Sequence, residues 1–297
     1  MSVSIEHPPH DAVGMTCRLA DSARGWTYTI RPGQRVLRRR PDLGFASSFA
    51  QDDPAVTAFV LDQYRAALNA LFSFEAEWMN PVSADRRLDQ NKLLGSTLAS
   101  RVGLLTIPTI LTDDPTTWAA AVRRFGEYGD IAVKPAGMWA ARLDDTDSVV
   151  SLFTKRLSVA EAIDLADLVR HAPVIVQPYV EKAYELRITV VAGRVFACRI
   201  DSQLSTRTMT DWRRYDFEHT PHAPIQLEPK LEDALRDFMR VCAVQYAAID
   251  MIVRPDGAHL FVEANPAGQF GWIEELTGLR ISDAIADWLV ADLDSTR

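Results

Sequence analysis

The sequence predicts an α+β protein, because amphipathic helices and β-hairpins are mixed along the chain without a regular strand–helix alternation. Two hairpins carry the strongest signal: one turns at residues 192–193 and the other at 255–257, each between two apolar runs. The phosphate-binding patterns GxxxxGK[ST] and GxGxxG are both absent from the sequence. A simple doubly wound nucleotide-binding sheet is therefore disfavoured.

Composition and charge exclude several classes of protein. With 297 residues, the chain is long enough for one large domain or for two to three lobes. The formal net charge of −8 argues against broad binding to nucleic acid or to an anionic membrane. The three cysteines are widely spaced and predict neither a disulfide framework nor a metal site. Without a signal peptide or an apolar run of ~20 residues, a cytoplasmic location is expected.

Periodicity predicts the individual elements. Helical spacing of apolar residues predicts helices at 55–73, 91–102, 229–244 and 280–292. A further helix is predicted to open at the capping residues and proline of 112–115 and to end at Gly129. Apolar runs bounded by turn residues predict strands at 26–30, 35–37, 107–111, 131–134 and 174–180, and the two hairpins at 186–199 and 247–263.

The second hairpin carries polar residues inside otherwise apolar strands. Glu263 and Asn265 are two positions apart on one strand, so their side chains share a face. Asp250 on the partner strand can be brought opposite them by the turn at 255–257. Two carboxylates and one amide oxygen suit Mg²⁺, which takes few protein oxygens and completes its shell with phosphates and waters. A structural salt bridge from these carboxylates to an arginine is the alternative.

Basic residues supply the second set of candidates. Lys134 ends an apolar strand before a turn, where its ammonium could reach a phosphate, or could instead extend from the strand end into solvent. Lys92 stands at a helix start, where a cation opposes the helix dipole unless an anion is nearby. Arg187, Arg213 and Arg214 are surface residues unless they converge on a carboxylate-rich cleft, where they could stabilise a transferring phosphoryl group.

The order of these motifs resembles the ATP-grasp superfamily, its RimK-like branch, and most closely the microviridin-type (graspetide) ligases that cross-link ribosomal peptides. The resemblance covers roughly residues 75–292 and rests on NK at 91–92, AVKP at 132–135, VQPYV at 176–180, ELR at 185–187, ID at 249–250 and VEANP at 262–266, together with RIDSQ at 199–203, DWRRYD at 211–216 and the run 265–278. It implies an ATP-grasp fold of two α/β lobes that clasp ATP. The implied parts are a shortened pre-ATP-grasp region at 1–90, a central lobe at 91–181 and a C-terminal lobe at 182–297.

The resemblance also implies a role for each matching position. Lys92 and Lys134 would hold the ATP phosphates. Glu185 would lie near the ribose or the substrate. The remaining assignments are an adenine hinge of Gln177, Pro178, Tyr179 and Val180, magnesium ligands Asp250, Glu263 and Asn265, and catalytic arginines Arg187, Arg213 and Arg214 near the acyl phosphate.

The function implied by the resemblance is an ATP- and Mg²⁺-dependent ligase. It would activate Asp or Glu side chains of a precursor peptide, made of a leader and a core, and join them to Ser, Thr or Lys as esters or amides; a homodimer is also implied. The first alternative is a RimK-like ligase that adds a free amino acid to a peptide or a small acid. The second is a non-catalytic ATP-grasp protein that binds a peptide or nucleotide, against which both lysines and all three metal positions count. The run 265–278 favours the peptide-modifying ligase over the RimK-like one.

Overall fold

The computed structural model describes residues 2–6, 16–21, 25–31, 33–38, 53–89, 91–137, 140–142, 149–151 and 153–291. The chain divides into two compact units, Met1–Ser83 with Ile285–Arg297 and Ala84–Ala284. The strands are β1 (Ser2–Glu6), β2 (Thr16–Asp21), β3 (Trp26–Ile30), β4 (Arg35–Val36), β5 (Glu77–Trp78), β6 (Leu105–Thr106), β7 (Ile110–Thr112), β8 (Ile131–Pro135), β9 (Ala140–Arg142), β10 (Val149–Ser151), β11 (Lys155–Leu157), β12 (Val174–Pro178), β13 (Tyr184–Val191), β14 (Arg194–Ile200), β15 (His222–Ile225), β16 (Tyr246–Val253) and β17 (His259–Asn265). The helices are α1 (Pro54–Phe72), α2 (Val82–Asp89), α3 (Lys92–Arg101), α4 (Pro115–Gly126), α5 (Val159–Asp164), α6 (Pro229–Cys242), α7 (Gly271–Thr277) and α8 (Ile281–Val290).

The first unit contains a three-stranded antiparallel sheet in the order β1-β2-β3 and the parallel pair β4–β5. The helix α1 begins after Asp53, whose side chain accepts a hydrogen bond from the Ala55 amide, and Pro54 occupies its first turn. Leu68 and Leu71 of this helix pack with Ile30 and Phe74 in a small core. The predictions of β3 and α1 are confirmed, whereas β1 and β2 were not predicted.

In the second unit, a four-stranded antiparallel sheet runs in the order β11-β8-β12-β7. The helix α4 covers it, with Asp114 as the N-cap and Trp118 almost fully buried. Trp118 Nε1 donates a 2.7 Å hydrogen bond to the Ala162 carbonyl in α5, so its one polar atom is satisfied inside the core. This packing fixes β8 and β12, which carry Lys134 and Gln177.

A six-stranded sheet in the order β15-β14-β13-β16-β17-β6 forms the other half of the second unit. It is antiparallel except for the pair β17–β6. The hairpin β13–β14 turns at Ala192 (φ 47°) and Gly193 (φ 82°), the left-handed pair expected of a two-residue turn that matches strand twist. One face of the sheet buries a core shared with α3 and α6, which includes Leu98, Ile188, Leu235, Phe238, Ile249 and Phe261.

The second predicted hairpin is β16–β17, and it contains an irregularity. Met251 pairs with Phe261, but the next pair is Asp250 with Glu263, so Val262 is an extra residue on β17. A β-bulge of this kind bends the strand and often lies next to a functional site. The bulge places Glu263, rather than Val262, directly opposite Asp250.

One predicted strand needs correction, and short helices were missed. Of the strand predicted at 107–111, only Ile110 and Leu111 belong to a strand, β7, while β6 (Leu105–Thr106) ends before the predicted range. The helices α2 and α7 were not predicted, since with eight and seven residues they are too short for a clear apolar periodicity.

Candidate functional site

A cavity of about 670 Å³, open to solvent, lies where the four-stranded and six-stranded sheets of the second unit face each other. Nine of the predicted residues line it: Lys134, Gln177, Pro178, Tyr179, Val180, Glu185, Arg213, Asp250 and Glu263. The four other predicted residues, Lys92, Arg187, Arg214 and Asn265, are not among the lining residues.

The acidic end of the cavity is built by the bulged hairpin. Asp250 and Glu263 are direct partners across the β16–β17 ladder, and Asn265 lies opposite Ala248 on the same face. Asn265 Oδ1 accepts a 3.0 Å hydrogen bond from the Ala267 amide. The predicted arrangement of the three side chains on one face is therefore present, and its oxygen donors are of the type that Mg²⁺ prefers.

Two cations surround Glu263. Lys92 Nζ lies 3.1 Å from Glu263 Oε2 and Arg213 Nη1 lies 3.6 Å from Oε1. Burial raises the pKa of Glu263, but Lys92, Arg213 and Lys134 together outweigh it and lower that pKa to about 2. The carboxylate is therefore ionised at neutral pH. Glu263 is also the anion that offsets the unfavourable interaction between Lys92 and the dipole of α3.

Asp250 is paired with Arg187. One guanidinium nitrogen, Nη1, lies 3.0 Å and 3.1 Å from the two Asp250 oxygens. Burial raises the pKa of Asp250 and the neighbouring Glu263 raises it further, while Arg187 opposes both. The salt bridge to an arginine, which the sequence left open as the alternative to a metal site, is therefore present at Asp250. The same Asp250 also lies opposite Glu263 in the carboxylate pair.

Lys134 is nearly buried in β8 and faces the cavity. The pKa of its ammonium is lowered to about 8, mainly by burial; Lys92 and Arg213 contribute to the lowering, and the attraction of Glu263 opposes it. This part of the site therefore has one more basic side chain than acidic ones. The basic residues are Lys92, Lys134, Arg187 and Arg213, and the acidic residues are Asp211, Asp250 and Glu263. A triphosphate would supply the anionic charge that this end of the cavity lacks.

Arg213 is held in position by Asp211, a lining residue that sequence reasoning did not identify. Asp211 accepts hydrogen bonds from Arg213 Nε at 2.8 Å and Nη2 at 2.6 Å, and from the Thr154 amide at 3.0 Å. Burial alone would raise the pKa of Asp211, but these bonds lower it to about 2. Arg214, by contrast, is exposed, and its guanidinium lies over the Phe153 ring at 5.6 Å.

The cavity also contains a buried lysine that the sequence patterns did not indicate. Lys182 Nζ donates to Glu185 Oε1 at 3.0 Å and to the Thr210 carbonyl at 3.0 Å. Burial raises the pKa of Glu185, and Lys182 opposes this. Glu185 Oε2 is buried and has no hydrogen-bond partner within the described part of the chain. Such an orphaned acceptor fits a hydroxyl group of a ligand, for example a ribose.

The hinge residues join the two sheets. The Tyr179 amide donates to the Asp130 carbonyl at 2.7 Å, and the Tyr179 ring lies under Arg156 at 4.1 Å. Gln177 Nε2 donates to Thr109 Oγ1 at 2.6 Å, so its side chain is bonded to the residue just before β7. These hydrogen bonds hold residues 177–180 in place along one side of the cavity.

Arg187 also connects the acidic end to the loop after β17. Its Nη2 donates to the Gln269 carbonyl at 3.3 Å, and Tyr246 donates to the Gly268 carbonyl. A Cβ added at Gly268 would overlap the Ala248 Cβ and lie 2.8 Å from Arg187 Nη2. The loop can approach the sheet this closely only because residue 268 lacks a side chain.

The Gly268→Ala substitution is expected to displace Arg187 and the loop, with a loss of roughly 1–3 kcal/mol in the free energy of unfolding. Urea unfolding measures this effect. Gly271→Ala is the matched control, since a Cβ there would meet nothing within 4 Å. Equal behaviour of the two variants would contradict the steric argument.

Three further observations concern metal binding, membrane-spanning helices and the cysteines. Among the described residues, no group of three or more His, Cys, Asp and Glu side chains is placed to hold a metal ion. Over the same residues, no helix combines the length and the apolar character needed to cross a membrane. Cys198 and Cys242 are buried free thiols.

Comparison with solved structures identifies the architecture. No protein-family profile matches the sequence, and no curated protein matches it. A RiPP-associated ATP-grasp ligase from Chryseobacterium gregarium, solved with ADP and a leader and core peptide, is 29% identical with a TM-score of 0.82, over 98% of this chain and 84% of that one. The macrocyclase MdnC from Microcystis aeruginosa MRC, bound to the precursor peptide MdnA, is 26% identical with a TM-score of 0.81, over 98% and 88% of the two chains.

A second macrocyclase from the same organism, MdnB, is 26% identical with a TM-score of 0.71, over 97% of this chain and 86% of that one. D-cycloserine synthetase, 18% identical over 86% of this chain and 84% of that one with a TM-score of 0.52, shares the fold alone. The predicted fold class is confirmed by these similarities, and so is the resemblance on which it was based. The chain therefore has the ATP-grasp fold, in the form found in the RiPP-associated ATP-grasp ligases.

Proposed function

We propose that this chain is an ADP-forming ATP-grasp ligase that activates Asp or Glu side chains of a ribosomal precursor peptide and joins them to hydroxyl or amine side chains. The observation that supports this most directly is the constellation around Glu263 and Asp250. It brings four cations and three carboxylates together at a cavity that is lined by both sheets of the second unit. The similarity to ligases solved with ADP and with precursor peptides supports the same class of reaction.

The chain's own residues would position ATP along the cavity. The hinge segment 177–180 would meet the adenine, and the orphaned Glu185 Oε2 would accept a hydrogen bond from a ribose hydroxyl. Lys134 and Lys92 would contact the phosphates, where a lysine acts as a point charge. Glu263 and Arg213 line the same cavity and would lie near the phosphates in this arrangement.

Asp250, Glu263 and Asn265 would hold Mg²⁺, because their donor oxygens share one face of the hairpin. When bound, the ion would neutralise charge on the phosphates. Arg187 would keep Asp250 in place through the bond to both carboxylate oxygens. We therefore infer a positioning role for Arg187 in addition to the predicted contact with the acyl phosphate.

The proposed reaction has two steps. A carboxylate oxygen of the substrate attacks the γ-phosphorus, the bond from that phosphorus to the bridging oxygen breaks, and ADP leaves. A hydroxyl or amine then attacks the carbonyl carbon of the acyl phosphate, phosphate leaves, and the proton of the nucleophile passes to phosphate or water. Arg213, fixed by Asp211, and Lys134 would stabilise the charge on the transferring group, since phosphoryl transfer depends on positioning and electrostatics.

The test combines the protein with Mg-ATP and a pool of synthetic acidic peptides that contain Ser, Thr and Lys, followed by intact-mass analysis. Loss of the mass of one water per ring, coupled to ADP release, is expected. Parallel reactions with hydroxylamine should trap the acyl phosphate as a hydroxamate. A further reaction also contains free amino acids, and a peptide that gains an amino-acid residue mass there would favour the RimK-like ligase. ATP binding without either product would favour the non-catalytic alternative.

Several finer features belong to the same proposal. These are the lobe boundaries at 91–181 and 182–297 behind the N-terminal region 1–90, a homodimer, a precursor with leader and core, and a cytoplasmic location. Light scattering of the purified protein tests the dimer.

A further inference from the structure

An aromatic cluster lies beside the cavity and is not used by the mechanism above. Five rings form it, here called the aromatic patch: Trp212, Tyr215, Phe217, His222 and Trp272. Trp272 of α7 is central, with ring centroids 5.2 Å from Trp212, 5.5 Å from His222 and 6.1 Å from Phe217. Tyr215 stacks on Phe217 at 5.3 Å. Three separate segments of the six-stranded half therefore converge on one surface.

The outer rings of the patch are exposed. Tyr215 is 46% exposed and Phe217 is 47% exposed, although both carry large apolar surfaces. Contiguous apolar surface of this kind marks binding sites more often than single exposed side chains do. Aromatic pairs also stabilise binding beyond the area they bury.

The backbone at the patch is strained. Tyr215 has φ 43° and ψ 114°, in a region that non-glycine residues rarely adopt. The neighbouring segment is braced, because Ser205 Oγ donates to Asp216 Oδ2 at 2.6 Å and the Tyr215 amide donates to the Trp212 carbonyl at 3.1 Å. Strain that is maintained by surrounding bonds tends to occur at ligand-binding segments. The strain is thus a second observation, independent of exposure, that points to a ligand.

The patch is continuous with the reacting end of the cavity. Trp212 lines the cavity, lies 5.8 Å from the Arg187 guanidinium, and stands between Asp211 and Arg213. From Trp212 through Trp272 to Phe217, the ring centroids span at most about 11 Å. An extended peptide covers that distance in roughly three residues. Chain that flanks a carboxylate held at Arg213 would therefore pass over the patch.

We propose that the aromatic patch binds an aromatic or large aliphatic side chain of the peptide substrate, two to four residues from the carboxylate that is activated. This inference rests on the proposed function, because it takes the activated residue to be part of a peptide. The patch would select carboxylates that have an aromatic or large aliphatic residue nearby in the peptide. Arg213 itself would contact a carboxylate whatever residues flank it.

The probe is a synthetic library of ten-residue peptides with one fixed central Glu, captured on the immobilised protein with Mg-ADP and sequenced after elution. We expect Phe, Tyr, Trp and Leu to be enriched about tenfold at positions two to four residues from the Glu, since two stacking contacts suffice for such a factor. The Tyr215→Asn, Phe217→Ser double variant should lose the enrichment. Asn is chosen at 215 because it tolerates a positive φ.

Tyr128→Asn is the matched control, because Tyr128 is 75% exposed and lies outside the patch. Enrichment that survives in the double variant, no enrichment with the unaltered protein, or no captured peptide would each overturn the proposal. So would a dimer, seen by light scattering, that dissociates in the double variant, because a second copy would then cover the patch. Hydroxamate formation on the same library reports the proposed function separately, so the two can fail independently.

Discussion

Replacing Glu263 with Gln is expected to lower kcat/KM for ATP-dependent ligation by more than roughly 10³-fold, a loss of about 4 kcal/mol of transition-state stabilisation. The substitution keeps the shape of the side chain but removes one of the two carboxylates that face each other across the bulged hairpin. Lys92, Arg213 and Lys134 remain, so nucleotide binding should persist while turnover is lost. Isothermal titration with ADP and a coupled ADP-release assay separate the two effects.

The same variant should be less stable above pH 5. The pKa of Glu263 is depressed to about 2 in the folded protein, so ionisation of this group stabilises the fold above its ordinary pKa. That stabilisation, roughly 3 kcal/mol, is lost as the pH falls from about 4.5 through 2. The difference in unfolding free energy between Glu263→Gln and the unaltered protein should therefore shrink over that range.

Glu127→Gln is the control for this experiment, since Glu127 is an exposed glutamate that follows α4. It should change neither turnover nor stability. Retention of more than a tenth of the activity by Glu263→Gln, in a variant with an unaltered circular dichroism spectrum, would contradict the proposed role of this carboxylate.

Replacing Lys134 with Met should change activity and stability in opposite directions. The loss of the ammonium removes a point charge from the phosphate end of the cavity, and we expect kcat/KM for ATP to fall roughly 10²–10³-fold, about 3–4 kcal/mol, mainly through KM. The free protein should become more stable by about 1–3 kcal/mol at pH 7, because burial disfavours the charged lysine and Met is neutral. The depression of the Lys134 pKa to about 8 gives the sign of that change.

Lys155→Met is the matched control, because Lys155 lies on the neighbouring strand β11 and is exposed. Its activity and urea midpoint should stay close to those of the unaltered protein. If Lys134→Met binds ATP as tightly as this control, Lys134 does not contact the phosphates.

The sequence predicted the elements with strong periodicity and both hairpins, because apolar repeats and positive-φ turn residues are local signals. It also predicted that Asp250, Glu263 and Asn265 would share a face. It could not reveal why they do. Regular pairing counted from the turn would place Val262 opposite Asp250, and only the bulge brings Glu263 there.

Other parts of the site depend on packing between distant segments, which no local pattern encodes. Lys182 becomes a cavity residue because Thr210 and Glu185 accept its hydrogen bonds. Asp211 fixes Arg213 only once the Thr154 amide lies beside it. Arg214 was grouped with Arg213 because the two are adjacent, yet the structure directs it to Phe153. For Lys92, the family resemblance rather than local residue chemistry gave the prediction, since the anion that offsets the helix dipole is far along the chain.

The bulge at Val262 divides the β16–β17 hairpin into two parts with different freedom to change in length. Beyond the bulge, the pairs Asp250–Glu263 and Ala248–Asn265 set the chemistry of the site. On the turn side, the extra residue already absorbs a shift of one position without moving the carboxylates. The turn at Asp256–Gly257 is consequently a position where insertion of a label or a short loop should leave the pairing of Asp250 with Glu263 intact. Loop grafting and fluorophore attachment for this enzyme are best directed there.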